Sequence, residues 1–170
     1  AAKSLLFEDC VCEVPLTMPS FGSMLSSRYP RSTATPRNGL FMPAWVPLIT
    51  ERFQVAGYQT VCIQSNWTLK KDLSGLDRGF DHYDDDFHKK RWGILKSERY
   101  ADEVTERALK AIKKRDPNRP LFCWIHYSDP HAPYRFHDRF HPWEVPLRKL
   151  DDVEQTRARY DSEVAYTDHQ

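Results

Sequence analysis

Three stretches of the sequence hold residue types that could do chemistry. The first, "VPLTMPSFGSMLSSRYP", sets Thr17 two residues before Pro19, with Ser20, Met24 and Ser27 following at helical intervals. One reading is a helix start, with Thr17 as N-cap and Pro19 in the first turn, where its missing N–H is no loss. The other is a nucleophile. A hydroxyl at a helix N-terminus lies at the positive end of the macrodipole, beside free backbone N–H groups that would hold an anionic ester. Spacing alone leaves both readings open.

The second stretch is "GLDRGFDHYDDDFHKK", where Asp81, Asp84, Asp85 and Asp86 invite a metal. A calcium loop needs spaced ligands, a turn glycine and a distant glutamate, which "DDDFHKK" lacks, so a solvated loop is expected. The third is "HYSDPHAPYRFHDRFH", with His126, His131, His137 and His141. His137 and His141 are four apart, but "HDRFH" has no glutamate where a zinc-protease helix carries its base. His131 differs because it follows a buried strand directly. In open α/β sheets, ligands bind outside the carboxyl ends of the strands.

The elements that must position these residues alternate along the chain. "KSLLFED" reads as a short strand, and residues 19–27 as a helix. A proline-rich loop closed by Asn38-Gly39 follows. Next come a helix from Pro47 with Gly57 at its end and a buried strand over residues 60–64. "SERYADEVTERALKAIKKR" is a helix with Ser97 as its cap and Tyr100, Val104, Ala108 and Ala111 on one face. "RPLFCWIHY" is a central strand opened by Pro120, and the chain is helical again from Asp151. This order predicts an α/β fold with a mainly parallel sheet flanked by helices, as a single domain over residues 1–170.

Composition excludes several classes. With 25 basic against 24 acidic residues, no global field recruits nucleic acid or an anionic membrane. A mean hydropathy of −0.70, with no run of about 18 apolar residues, gives no membrane segment. The first residues carry neither the basic start nor the apolar region of a signal peptide. Cys10, Cys12, Cys62 and Cys123 are too sparse for a disulfide scaffold. Cys62 and Cys123 lie in apolar runs and read as buried thiols.

Taken in order, "VPLTMPSFGSMLSSRYP", "AGYQT", "GLDRGFDHYDDDF", "HYSDPHAPY" and "YDSEVAYTDHQ" resemble the sulfatases of the alkaline-phosphatase superfamily, over residues 3–170. The resemblance implies an internal piece of the catalytic domain, with a sheet incomplete at both ends. It places the nucleophile at Thr17, which could be cap and nucleophile at once, and makes Thr17 a ligand of a divalent cation. Calcium is expected first, with magnesium, manganese or zinc as alternatives, and the remaining ligands outside this chain. His131 of "DPHAPY" is implied as a ligand to the ester oxygens or the leaving group, and Ser20 and Asn66 as substrate contacts. The partner is a small-molecule or glycan sulfate or phosphate ester, in an extracytoplasmic setting.

The departures are specific. Typical sulfatases carry cysteine or serine in C/S-x-P-S-R and convert it to formylglycine. Here "TMPSF" has a threonine that cannot be converted, and Phe21 stands in the arginine position. A lysine and a histidine typically follow the "GY-x-T" strand, where this chain reads "IQSNW". Two alternatives therefore stand beside a sulfate-ester hydrolase: a phosphodiesterase or phosphonate hydrolase of the same superfamily, and a catalytically silent binding module. Asn66-Trp67-Thr68 is also a glycosylation sequon, expected to be fortuitous.

Overall fold

The computed structural model describes residues 5–86, 90–91 and 96–170. In chain order its main elements are α1 (Thr17–Ser26), α2 (Ile49–Val55), β1 (Gln59–Ile63), α3 (Lys71–Ser74), β2 (His82–Asp84), β3 (Lys90–Arg91), β4 (Lys96–Ser97), α4 (Ala101–Lys113), β5 (Leu121–Ile125) and α5 (Asp152–His169). β1 is the centre of a three-stranded sheet of order β2-β1-β5, and both neighbours run parallel to it. Val61 pairs with His82 on one side and Cys123 on the other. β3 and β4 form a separate antiparallel pair.

Period-two alternation divides β1 and β5 between two cores. Val61 and Ile63, with Leu121, Cys123 and Ile125, pack against Val104 and Ala108 of α4. On the opposite face, Trp124 and Phe21 pack against Met18, Leu25, Met42, Val46, Leu48, Leu69 and Leu76. Phe122 stacks on Phe53 of α2 with ring centroids 4.4 Å apart. Cys62 is fully buried and Cys123 half-buried, both as free thiols, and burial pushes both thiols up from their ordinary proton affinity.

The strand at residues 59–63 and that at 121–125 lie where the apolar runs place them, one residue early in the first case. Gly57 follows the last turn of α2 at φ 85°, the left-handed geometry that ends helices. Asp151 caps α5 through the amide N–H of Glu154, and the Glu154 carboxylate accepts from the Asp151 N–H. The second aspartate stretch owes part of its sequence to packing. Gly79, at φ 79°, lies so close to α2 that a Cβ would overlap the backbone of Thr50 and Glu51. Arg78 beside it donates to Val46 O at 2.8 Å and pairs with Glu51 at 3.2 Å.

Four expectations change. Residues 5–9 form no strand. Leu5, Leu6 and Phe7 are 88%, 85% and 75% exposed, because neither edge of the sheet takes up this two-sided apolar run. Lys3, Ser4 and the Phe87–Lys89 part of the acidic stretch lie outside the described residues. α2 starts at Ile49 rather than Pro47, since the Glu51 carboxylate accepts the Leu48 N–H at 2.8 Å and fixes Leu48 as the cap. Ser97 does not cap α4, which starts at Ala101 after Tyr100. The cause is Arg99, whose fully buried guanidinium is anchored to the strand ends and holds residues 98–100 out of the helix.

The acidic run is also not a solvated loop. Asp84 closes β2 and is held by Arg99 at 2.6 Å and Arg107 at 3.0 Å. Asp85 is buried and accepts the Lys71 N–H at the start of α3, at 2.9 Å. Asp81 accepts from Thr60 N–H, Gln54 and Arg119. The Asp84 and Asp85 carboxylates are thus spent on the protein's own donors, as burial demands of a charge, whereas Asp81 and Asp86 are exposed.

Candidate active site

The candidate site gathers at the carboxyl ends of β1 and β5. Out of β1 come Gln64, Ser65 and Asn66, all buried. Out of β5 come His126, Ser128 and Asp129, followed by His131 on a loop with cis peptide bonds before Pro130 and Pro133. α1 lies alongside. Phe21, one turn after Thr17, packs on Trp124 at 5.2 Å and edge-on to His126 at 4.9 Å between ring centroids.

Thr17 is not the cap of its helix. It is the first residue of α1, and the N-cap is Leu16, which has no side chain able to accept. The cap comes from across the loop, where Asn38 Oδ1 accepts the Met18 N–H at 2.8 Å. Pro19 has no N–H, and the Ser20 N–H is bonded to Leu16 O. Among the described residues, this leaves the Thr17 N–H and the hydroxyls of Thr17 and Ser20 as the uncommitted donors of the first turn. The helix end is therefore a narrower anion cradle than a row of free N–H groups. Asn38→Ala should cost about 1 kcal/mol of stability through this lost cap, read as a lowered denaturation midpoint.

The other expected residues divide. Ser20 is half-buried and lines an open cleft of about 700 Å³ with Cys10, Cys12 and Ser23. Asn66 is 7% exposed and committed at both ends: Oδ1 accepts from Thr68, and Nδ2 donates to Ser128 Oγ at 3.3 Å. It ties the β1 exit to the β5 exit, and its burial leaves no amide available to a glycan acceptor reaction. His131 is half-exposed, with Nδ1 3.9 Å from the Glu98 carboxylate. His137 stacks on Tyr166 at 4.1 Å, and His141 Nε2 is 2.9 Å from Val145 O, so both serve packing against α5 and the following loop.

Two residues at the site escape reading from the sequence. Ser65 is fully buried, donates to His126 O at 2.8 Å and stands 3.3 Å from His126 Nδ1. Its proton is thus committed to a carbonyl rather than poised for attack. Burial between Phe21, Trp124 and Ser65 lowers the His126 pKa to about 4. His126 is then neutral in the folded protein while the unfolded chain protonates near pH 6.5. A folded pKa below the unfolded one stabilises above the unfolded value, and that stability is lost as pH falls toward the folded pKa. Stability should accordingly fall by about 3 kcal/mol between roughly pH 7 and pH 4 from this group. His126→Phe should flatten that part of the pH–melting profile.

The described residues do not by themselves make a metal site. No group of three or more His, Cys, Asp or Glu side chains among them is arranged to hold an ion. Of the acidic run, Asp84 is paired with Arg99 and Arg107, and Asp85 accepts the Lys71 N–H.

A sulfatase family model matches residues 1–170. The chain belongs to the sulfatase family. This sulfatase chain is 26% identical over 140 residues to an N-acetylglucosamine-6-O-sulfatase of Bacteroides thetaiotaomicron, a match covering 77% of the chain and 25% of the relative. Its fold matches a structure solved with its substrate D-glucosamine-2-N,6-O-disulfate, at a TM-score of 0.62 and 21% identity, over 85% of this chain and 32% of the other. It also matches a putative sulfatase from Bacteroides thetaiotaomicron at a TM-score of 0.60 and 17% identity, over 95% of this chain and 44% of the other. The chain thus spans about a quarter of the length of the curated relative and less than half of these two solved chains. Among the described residues no helix is long and apolar enough to cross a membrane.

Proposed function

We propose that the protein containing this chain hydrolyses sulfate esters of glycans, with Thr17 as the nucleophile. The observation that carries this reading is the Thr17 hydroxyl. It sits at the first residue of α1, without a described partner, in a chain matched end to end by the sulfatase model. In the reaction, Thr17 Oγ attacks sulfur as its proton passes to water, and the bond from sulfur to the sugar oxygen breaks. The departing alkoxide takes a proton from Nε2 of the protonated His131 ring, the candidate donor, which is left neutral with its remaining proton on Nδ1. Water then attacks the sulfur of the threonine sulfate, releasing sulfate and restoring the hydroxyl. Each half-reaction is a displacement that a nucleophilic side chain makes easier than direct attack by water.

A divalent cation, calcium first, belongs to the same proposal. Held by Thr17 Oγ and by further ligands from outside this chain, it would lower the proton affinity of the attacking oxygen and offset charge on the ester. No formylglycine is formed, because threonine oxidation cannot give the aldehyde. Since no three His, Cys, Asp or Glu side chains are grouped among the described residues, calorimetry on the 170-residue chain alone should show no calcium or manganese site tighter than roughly millimolar. A micromolar site would mean that the ligands lie within this chain.

The replacement of a convertible residue by Thr17 favours one second reading, transfer at phosphorus in a phosphodiester or phosphonate. Incubating the full-length protein with glucosamine 6-sulfate, an aryl sulfate, a phosphate monoester and a phosphodiester separates the two. Sulfate release from the sugar supports the first reading. Hydrolysis confined to the phosphodiester supports the second. No turnover on any of them, with metal supplied, leaves the silent binding module, a role that the inward-packed Phe21 would suit.

A further inference from the structure

We propose that Glu98 is the positioning residue for His131, holding the imidazole with its proton on Nδ1 and leaving Nε2 turned toward the reacting ester. The kinetic part of this rests on the proposed role of His131; the structural part does not. Glu98 lies in the short segment between β4 and α4, a region the sequence presents only as a helix start. Its side chain is 6% exposed and its Oε1 is 3.9 Å from His131 Nδ1, while the His131 side chain is 51% exposed. A buried carboxylate facing one nitrogen of a half-exposed ring gives the ring an inside and an outside. Nδ1 faces the protein, and Nε2, on the other side of the ring, faces away from Glu98.

Both partners are held by separate anchors, so the pairing is set by the fold. On the carboxylate side, the next residue, Arg99, donates its backbone N–H to Ser65 O at 3.3 Å and its guanidinium to Gln64 O at 3.0 Å. That fixes Glu98 relative to the β1 exit. On the imidazole side, the loop after His131 is pinned to α5. The Arg135 N–H donates to Glu163 at 2.8 Å, and the His137 N–H to Ser162 Oγ at 3.2 Å. Tyr134 packs edge-on against Tyr160 at 5.3 Å, and the Arg135 guanidinium lies over the ring of Tyr100, two residues from Glu98, at 5.2 Å. The present 3.9 Å is a charge-pairing distance. Catalytic contacts are often this long without substrate and tighten in the substrate complex. A carboxylate that fixes the tautomer of a histidine is what lets the opposite nitrogen meet a substrate atom in one defined state.

The test is nitrogen NMR of the full-length protein labelled in its histidines, with the His131 signal assigned by its loss in His131→Gln. In wild type the neutral ring should carry its proton on Nδ1. Glu98→Ala, which removes the acceptor, should move that proton to Nε2, and Glu98→Gln, which keeps an acceptor oxygen, should retain the wild-type tautomer. On a sulfated sugar, Glu98→Ala should lower kcat by roughly tenfold or more with KM little changed, and Glu98→Gln should recover part of it. A wild-type ring protonated on Nε2 overturns the proposal, and so does a tautomer unchanged in a folded Glu98→Ala protein. Should the alanine variant fail to fold, the wild-type and glutamine spectra still decide. If wild type turns over no sulfate ester, the functional reading fails while the tautomer result stands by itself.

Discussion

Thr17→Ala in the full-length protein should abolish ester hydrolysis and leave the fold nearly unchanged. Thr17 is the first residue of α1, its hydroxyl has no described partner, and the cap functions belong to Leu16 and Asn38. Removing the hydroxyl therefore breaks no hydrogen bond among the described residues, and the melting curve should shift by no more than about 0.5 kcal/mol equivalent. Loss of a nucleophile, by contrast, lowers kcat by about three orders of magnitude or more. Thr17→Ser keeps the oxygen and should keep measurable turnover. Asn38→Ala is the complementary control: it weakens the helix start while leaving the hydroxyl, so it should lose stability and retain activity. Steady-state assays on the substrate that wild type cleaves check all three. Wild-type rates in Thr17→Ala would reduce Thr17 to a helix residue.

The largest expected loss of stability comes from Arg99→Met. Arg99 is 1% exposed, and its guanidinium serves Gln64 O, Asp84 and Asp86 O at the junction of β1, β2 and α4. Removing the cation leaves two carbonyls without their donor and the Asp84 carboxylate with Arg107 as its one remaining cation among the described residues, a loss of about 3 kcal/mol. Arg107→Met should cost less, because Arg107 is partly exposed and Arg99 still holds Asp84. Arg99→Lys should not restore the loss, since one ammonium cannot reach the directions that a guanidinium fork serves. Burial pushes the Asp84 carboxyl up, but the hydrogen bond from Arg107 and the charge of Arg99 outweigh it, so its pKa is lowered. A lowered carboxyl pKa stabilises above the unfolded value of about 4 and loses that contribution on acidification below it. Urea denaturation of the variants at neutral pH, and of wild type below pH 4, reads both effects. A shift under about 1 kcal/mol for Arg99→Met would contradict the network's role.

What the sequence made legible was decided by local chemistry. "TVCI" and "LFCWI" are apolar on both faces, so they read as buried parallel strands, and β1 and β5 are found there. Gly57 and the Asp151–Glu154 pair mark helix ends through their own backbone and side-chain needs. Long-range partners were not legible. Nothing near Thr17 announces that Asn38, beyond α1 and the loop that follows it, supplies the cap. Nothing in "SERYADEV" announces that Arg99 is drawn under the strand ends and delays the helix to Ala101. The acidic run misled for the same reason: its partners, Arg99 and Arg107, come from the next helix and its approach. Thr17 and His131 enter the proposed site through motif order. Glu98 and the neutral, buried His126 became visible only in three dimensions.

The central claim is that the enzyme supplies the attacking oxygen, and the stereochemical course at sulfur tests it most directly. The full-length protein would be given a glucosamine ester bearing an isotopically chiral sulfuryl group, with an alcohol as acceptor, and the configuration of the transferred group determined. Attack by Thr17 followed by transfer to the alcohol is two in-line displacements, so the account predicts net retention, in an activity that Thr17→Ala lacks. Net inversion would mean a single direct displacement by the acceptor and would contradict a threonine nucleophile.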